Sequence, residues 1–131
     1  MPRGVMAKQP KILVIEDEEG IRNFVKKALA DAFDVTLAAD GQAGLSQARW
    51  DGPDLILLDL RMPGMDGLTV LAKLKANAQT SAIPVVIVSG QGDSTMLLDG
   101  QRAGAADYVI KPFDVEELRK VIRRHLAVRG D

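Results

Sequence analysis

Five short apolar runs, each followed by a stretch of helical periodicity, constrain this chain more than any other feature. The runs are Lys11–Ile15 (KILVI), Asp34–Ala38 (DVTLA), Asp54–Leu58 (DLILL), Pro84–Val88 (PVVIV) and Asp107–Ile110 (DYVI). The first, third and fourth are β-branched or leucine-rich without alternation, which suits strands covered on both faces. The second is more polar and predicts an edge strand. Helical patterns fill the intervals over residues 20–32, 41–50, 67–77, 95–103 and 115–128. The first carries Ile21, Phe24, Val25, Ala28 and Leu29 on one stripe. In the third, Leu68, Leu71, Ala72 and Leu74 face inward, and in the fifth Leu118, Val121, Ile122 and Leu126 do so. Asp40 and Asp66 are placed to cap their helices, Ser94 precedes the fourth, and Asp114 to Glu117 reads as a capping box. Gly100 predicts that the fourth helix is the weakest.

Strands that alternate with helices of this length imply parallel pairing and right-handed crossovers. The predicted fold class is therefore α/β, a doubly wound (βα)5 sandwich with a five-stranded parallel sheet. A length of 131 residues suits one domain. We expect a flexible arm over residues 1–9, a folded domain over 10–128, and a tail or the start of a linker at 129–131. The leader has no apolar core of the signal-peptide kind.

Composition excludes several chemistries. A net charge of -1 argues against direct nucleic-acid binding. With no Cys there are no disulfides, thiolate metal sites or Cys nucleophiles, which is compatible with a cytoplasmic location. A single His, His125, leaves no basis for a His-rich metal site. No apolar run approaches the roughly 20 residues that cross a membrane.

The polar residues are informative because of where they fall. Parallel sheets bind ligands beyond the carboxyl ends of their strands. The first run is followed by Glu16-Asp17, the third by Asp59, the fourth by Ser89 and the fifth by Lys111. A lone Asp at a strand end is ordinarily a turn residue. Three carboxylates and one ammonium at one rim are different, because like charges repel and raise carboxylate pKa values. A hard divalent cation would neutralise such a group, and Mg²⁺ takes one or two carboxylates while keeping waters. Phosphoryl transfer to Asp59 follows as the mechanism. Positioning and electrostatics do most of the work in that chemistry, and a positioned carboxylate forms an aspartyl phosphate. Lys111 would contact a phosphoryl oxygen, and Ser89 would donate to another.

These residues stand in motifs that resemble the receiver domain of two-component response regulators, over about residues 10 to 128. The motifs are Glu16-Asp17, LLDLRMPGMDG around Asp59, Ser89, and GAADYVIKPF at 104–113. The resemblance implies a flavodoxin-like three-layer sandwich with strand order 2-1-3-4-5. It implies that Asp59 accepts a phosphoryl group from a phosphohistidine, on a sensor histidine kinase or a histidine phosphotransfer protein. It implies Mg²⁺, or Mn²⁺ in its place, held by Asp17, Asp59 and the backbone carbonyl of Arg61, with Glu16 acting through water. Ser89 and Tyr108 stand as switch residues, and a cis bond is implied at Lys111-Pro112. The partner surface would be the fourth helix, fifth strand and fifth helix, with an unknown output partner and either a monomer or a phosphorylation-dependent dimer. The chain would catalyse its own phosphorylation and slow dephosphorylation as a switch rather than as a turnover enzyme.

Two other functions fit the same fold. A pseudo-receiver would serve as a constitutive interaction module. A Mg²⁺-dependent phosphatase of similar sheet type would carry a second Asp two residues after the nucleophile, where this chain has Arg61. Arg61 and Gln91 are expected to flank the phosphoryl group. Trp50 is expected to pack, His125 to be structural, the basic run 119–124 to be a solvated helix face, and Asp93 and Asp99 to be cap and surface residues.

Overall fold

The structure is a computed structural model and describes residues 9–126. The expected arm before Gln9, the expected tail at 129–131 and the last two residues of the predicted fifth helix lie outside the described residues. Five strands and five helices alternate along the chain: β1 (Lys11–Ile15), α1 (Glu19–Leu29), β2 (Asp34–Ala38), α2 (Gly41–Asp51), β3 (Leu55–Asp59), α3 (Gly67–Ala76), β4 (Val85–Ser89), α4 (Ser94–Arg102), β5 (Asp107–Ile110) and α5 (Val115–Leu126). The strands are all parallel in the order β2-β1-β3-β4-β5, as the resemblance implied. The polar second run is indeed an edge strand. Among the described residues no helix is long and apolar enough to cross a membrane.

Burial on both faces follows from the unbroken apolar runs. Successive strand side chains point to opposite faces, so each central strand feeds two cores. Ile12, Val14, Leu55, Leu57, Val86 and Val88 pack with residues of α1 and α5. Leu13, Ile15, Ile56, Leu58, Val85 and Ile87 pack on the opposite side, with α2, α3 and the apolar residues of α4. Each such side chain contributes about 1.5–3 kcal/mol when fully buried. That leaves the strand ends free to carry polar groups without losing the sheet.

Several local expectations shift. The third and fourth strands begin one residue later than read, so Asp59 and Ser89 are the last strand residues rather than the first loop residues. Pro84 has no N–H to give the ladder; it contributes only its carbonyl, to Ile56 N at 3.0 Å. The first helix stops at Leu29, and Phe24, expected inward, is 49% exposed, tilted against the Phe113 ring at 6.4 Å. In α3 the buried position next to Leu71 is Val70, whereas Ala72 is exposed. Trp50, expected to pack, is 80% exposed at the end of α2.

The caps at Asp40 and Asp66 are present, each accepting from the backbone N–H three residues on at 2.8 Å. Asp114 likewise accepts from Glu117 N at 2.7 Å. The fourth cap is Asp93 by position, not Ser94. Gly100 is buried against Ile87, and a Cβ there would overlap the tip of that side chain. The glycine therefore sets how closely α4 approaches β4, beyond any weakening of the helix. The basic run of α5 is not wholly solvated. Arg119 donates to Ala28 O and Asp31 Oδ1 at 2.6 Å each, tying α5 to α1.

Candidate functional site

The strand order reverses direction at β1, which lies between β2 and β3. Crossovers leave to opposite faces there, and a crevice opens at the carboxyl ends of the strands. The chain has put its acids at that crevice. Glu16, Asp17 and Asp59 each offer a carboxylate oxygen, and all lie within 4.8 Å of one another. Glu16 and Asp59 are buried and Asp17 is half-buried. An open hollow of about 380 Å³ is lined by Asp17 and Asp59 together with Arg61, Gln91, Asp93 and Lys111.

Lys111 arrives from the end of β5. Its Nζ lies 3.2 Å from Glu16 Oε1 and 3.5 Å from Asp59 Oδ1. Its main-chain N–H donates to Ser89 O at 2.6 Å, fastening the end of β5 to the end of β4. The bond before Pro112 is cis. Burial alone would lower the Lys111 ammonium, but Asp59 and then Glu16 outweigh it and raise its pKa.

Asp59 has the least comfortable environment. Burial raises its carboxyl from 3.8 to about 7, the charge of Glu16 adds to the rise, and Lys111 opposes it. Without a further cation the carboxyl of the nucleophile candidate is thus held toward its neutral form. Its Oδ1 is 3.4 Å from Arg61 N, a weak contact by distance. Ser89 Oγ, fully buried at the end of β4, has no hydrogen-bond partner among the described residues. Tyr108 is 41% exposed on β5. Glu16, Asp17, Asp59 and Lys111 therefore meet at one rim, Ser89 ends the strand beside Asp59, and Tyr108 stands outside.

The loops explain why the acids converge. Arg22 on α1 reaches back and donates from Nη1 to the carbonyls of both Glu16 and Asp17, at 2.8 Å each. Glu18 N donates to Glu16 Oε2 at 3.2 Å. After β3, Pro63-Gly64 turns the chain with Gly64 at φ 77, the left-handed conformation that glycine adopts without strain. Gly67 then opens α3 directly on the end of β3. Its N–H donates to Leu60 O at 2.9 Å, and a Cβ on it would fall on the Asp59 carbonyl and the Leu60 Cα.

Two residues escaped the sequence reading. Arg22 gives no signal at its spacing, since an Arg on an amphipathic helix reads as surface. Asp93, read as a cap, makes no side-chain cap bond. It is buried, pairs with Arg61 Nε at 2.5 Å and accepts from Gly90 N at 3.0 Å. His125 Nε2 lies 2.9 Å from Asp107 Oδ2, which Arg124 also holds at 2.6 Å.

The acid set suits a hard dication. It is all oxygen, it carries more negative charge than Lys111 offsets, and its central member is pushed toward neutrality by burial and by the charge of Glu16.

Comparison with known proteins agrees with this geometry. Residues 12–123 match the family described as Response regulator receiver domain. The chain is 41% identical over 124 residues to the transcriptional regulatory protein CseB of Streptomyces coelicolor, covering 91% of this chain and 52% of that protein. It spans about half the length of that relative. It is 31% identical over 122 residues to the sporulation initiation phosphotransferase F of Bacillus subtilis, covering 92% of this chain and 97% of that one. Among solved structures, the chemotaxis protein CheY4 of Vibrio cholerae superposes with a TM-score of 0.85 at 30% identity, over 91% of this chain and 100% of that chain. The acid cluster at the sheet's switch point, the strand order and these matches lead to one statement: this chain belongs to the receiver domain family of two-component response regulators.

Proposed function

We propose that the chain is a phosphorylation switch in which Asp59 accepts a phosphoryl group from a phosphohistidine, on a sensor histidine kinase or a histidine phosphotransfer protein. The observation that supports this most is the convergence of Asp59 with Glu16, Asp17 and Lys111 around one hollow. The forming bond joins an Asp59 carboxylate oxygen to phosphorus. The breaking bond is P–N, whose electron pair returns to the imidazole, which takes up a proton. Dephosphorylation reverses the gain: water attacks phosphorus, inorganic phosphate leaves and the carboxylate is restored.

Asp17, Asp59 and the backbone carbonyl of Arg61 would hold Mg²⁺, with Glu16 acting through water; Mn²⁺ would fit the same oxygen donors. When bound, the ion supplies the positive charge that lets a carboxylate meet an anionic phosphoryl group. Asp59 acts as the nucleophile and must be ionised to do so. Lys111 favours that ionised form from one side and then contacts a phosphoryl oxygen. Ser89 donates its free hydroxyl to another oxygen, and by moving toward it vacates space beside β4. Tyr108 turns inward to fill that space, changing the surface of α4, β5 and α5. This is the surface for an output partner, as a monomer or as a phosphorylation-dependent dimer. The switch is a bistable element biased by a local charge. The encounter would take place in the cytoplasm, with which a chain free of Cys is compatible.

The test is intact-mass analysis after acetyl phosphate and Mg²⁺, with Asp59→Asn as control. A single phosphoryl adduct lost in the variant is expected. An unmodified wild-type chain would leave the interaction module as the surviving function.

A further inference from the structure

Asp93 breaks a local rule. It occupies the N-cap position of α4, where an Asp side chain ordinarily accepts from the second or third helical N–H. Here it caps nothing, and its carboxylate is buried instead beneath Arg61. The pair is unequal: the Asp93 side chain is 2% exposed and the Arg61 side chain 68%. A buried carboxylate whose cation stands in solvent depends on that cation, because an uncompensated buried charge is costly. Among the bonds of the described residues, Gly90 N is the other group that holds it.

Arg61 in turn belongs to the reaction centre. It lies two residues after Asp59, its main-chain N–H is 3.4 Å from Asp59 Oδ1, and it lines the same hollow as Asp17, Asp59 and Lys111. A phosphoryl group on Asp59 would bring about −1.5 to −2 charge and three acceptor oxygens into that hollow, an arrangement that a guanidinium binds well. Two anions would then contend for one cation.

Resting on the phosphoacceptor reading above, we propose that Arg61 is exchanged between Asp93 and the phosphoryl group, and that the released Asp93 turns back to cap α4. Arg61 and Asp93 are thus a positioning pair that couples the charge on Asp59 to the first turn of α4, separately from Ser89 and Tyr108. The released carboxylate has a destination on the page. Ser94 opens α4, so Met96 is its third residue, and its N–H is where an N-cap carboxylate bonds. Each arrangement satisfies Asp93, once by Arg61 and once by the helix, so the element has two defined states rather than one state and its loss.

The test uses beryllium trifluoride with Mg²⁺, a tetrahedral mimic of a carboxyl-bound phosphoryl group, and reads its affinity in a double-mutant cycle. Asp93→Asn keeps an oxygen for Gly90 N and for capping but removes the competing charge. It should tighten fluoroberyllate binding by about fivefold, the size of an ion pair worth about 1 kcal/mol. Arg61→Gln should weaken it by about tenfold, as loss of a charge-assisted bond does. In the Arg61→Gln background the Asn substitution should have no effect, since there is no cation left to contest.

Wild-type protein gives a second reading that needs no variant. On loading, the Arg61 Nε–Hε resonance should move and the Met96 amide should gain protection from hydrogen exchange. Additive variants, or an Arg61 resonance and Met96 amide that ignore loading, would overturn the exchange while leaving the phosphoacceptor reading intact. A wild-type protein that binds no fluoroberyllate with Mg²⁺ would overturn both.

Discussion

Replacing Asp59 by asparagine should stabilise the metal-free protein at neutral pH, and the gain should disappear in mild acid. Burial, reinforced by Glu16 and opposed by Lys111, raises the Asp59 carboxyl to about 7 in the folded protein, against 3.8 for an unperturbed group. Below roughly pH 4 both folded and unfolded chains hold this proton, and the charge has no influence on stability. As pH rises from about 4 to about 7, the unfolded chain has released a proton that the folded chain still keeps, so stability falls. Above about pH 7 the folded carboxylate is ionised too, and the loss is complete. The two pKa values are separated by about three pH units, and at 1.36 kcal/mol for each the full effect is about 4 kcal/mol. Side-chain rearrangement and water at the mouth of the hollow reduce it, so we expect about 2–4 kcal/mol.

The assay is urea unfolding followed by far-UV circular dichroism in EDTA, across about pH 4 to about pH 8, for both proteins. Trp50 is too exposed to report on the core. The difference between the two midpoint curves should open across that interval with Asp59→Asn the more stable. Saturating Mg²⁺ near pH 8 should then raise the wild type, by about 2.7 kcal/mol at a hundredfold excess over Kd, and leave the variant nearly unmoved. Parallel curves, or a variant less stable at pH 8, would refute the argument that burial governs this carboxylate.

Other outcomes follow from the same coordinates. Arg22→Gln should lower Mg²⁺ affinity about 10- to 100-fold by calorimetry, because Arg22 fixes the carbonyls of both Glu16 and Asp17 from behind the acids. Gly67→Ala should destabilise by about 2 kcal/mol or more in urea and slow phosphorylation, since the new methyl group meets the main chain of Asp59 and Leu60 rather than a side chain that can yield. Asp107→Asn should lower stability by about 1 kcal/mol at neutral pH. Burial works against the Asp107 carboxylate, but bonds from His125, Tyr108 N and Arg124 outweigh it and lower its pKa. Its contribution is therefore present above about pH 4 and lost as pH falls through the depressed value; a variant deficit that persists in stronger acid would contradict this.

The sheet and the convergence of the acids were legible because both depend on strand ends, and strand ends are marked by the close of an apolar run. The one-residue shift at Asp59 and Ser89 was not, since a buried polar residue pairing in the ladder looks the same in sequence as the first residue of a loop. Arg22 and Asp93 were hidden for a related reason. Their roles lie in contacts that the fold makes, at helix positions where Arg and Asp are ordinary. Trp50 and Phe24 misled because an aromatic residue on an amphipathic pattern is usually core, and nothing local tells that the helix ends or rolls past the sheet there.

The seat of α4 on the sheet has a mechanical consequence. Elsewhere, helices are keyed to the strands by side chains such as Leu29, Leu71 and Leu118, and sliding would have to lift these out of their sockets. Under α4 the fully covered position is Gly100, a patch of backbone resting on the tip of Ile87, and the α4 side chains beside it, Met96 and Leu97, are only partly buried. Such a contact works as a bearing rather than a lock: it carries load across the joint yet offers little resistance to travel along it. A helix mounted this way is suited to answer a small push at its first turn with displacement of the whole rod.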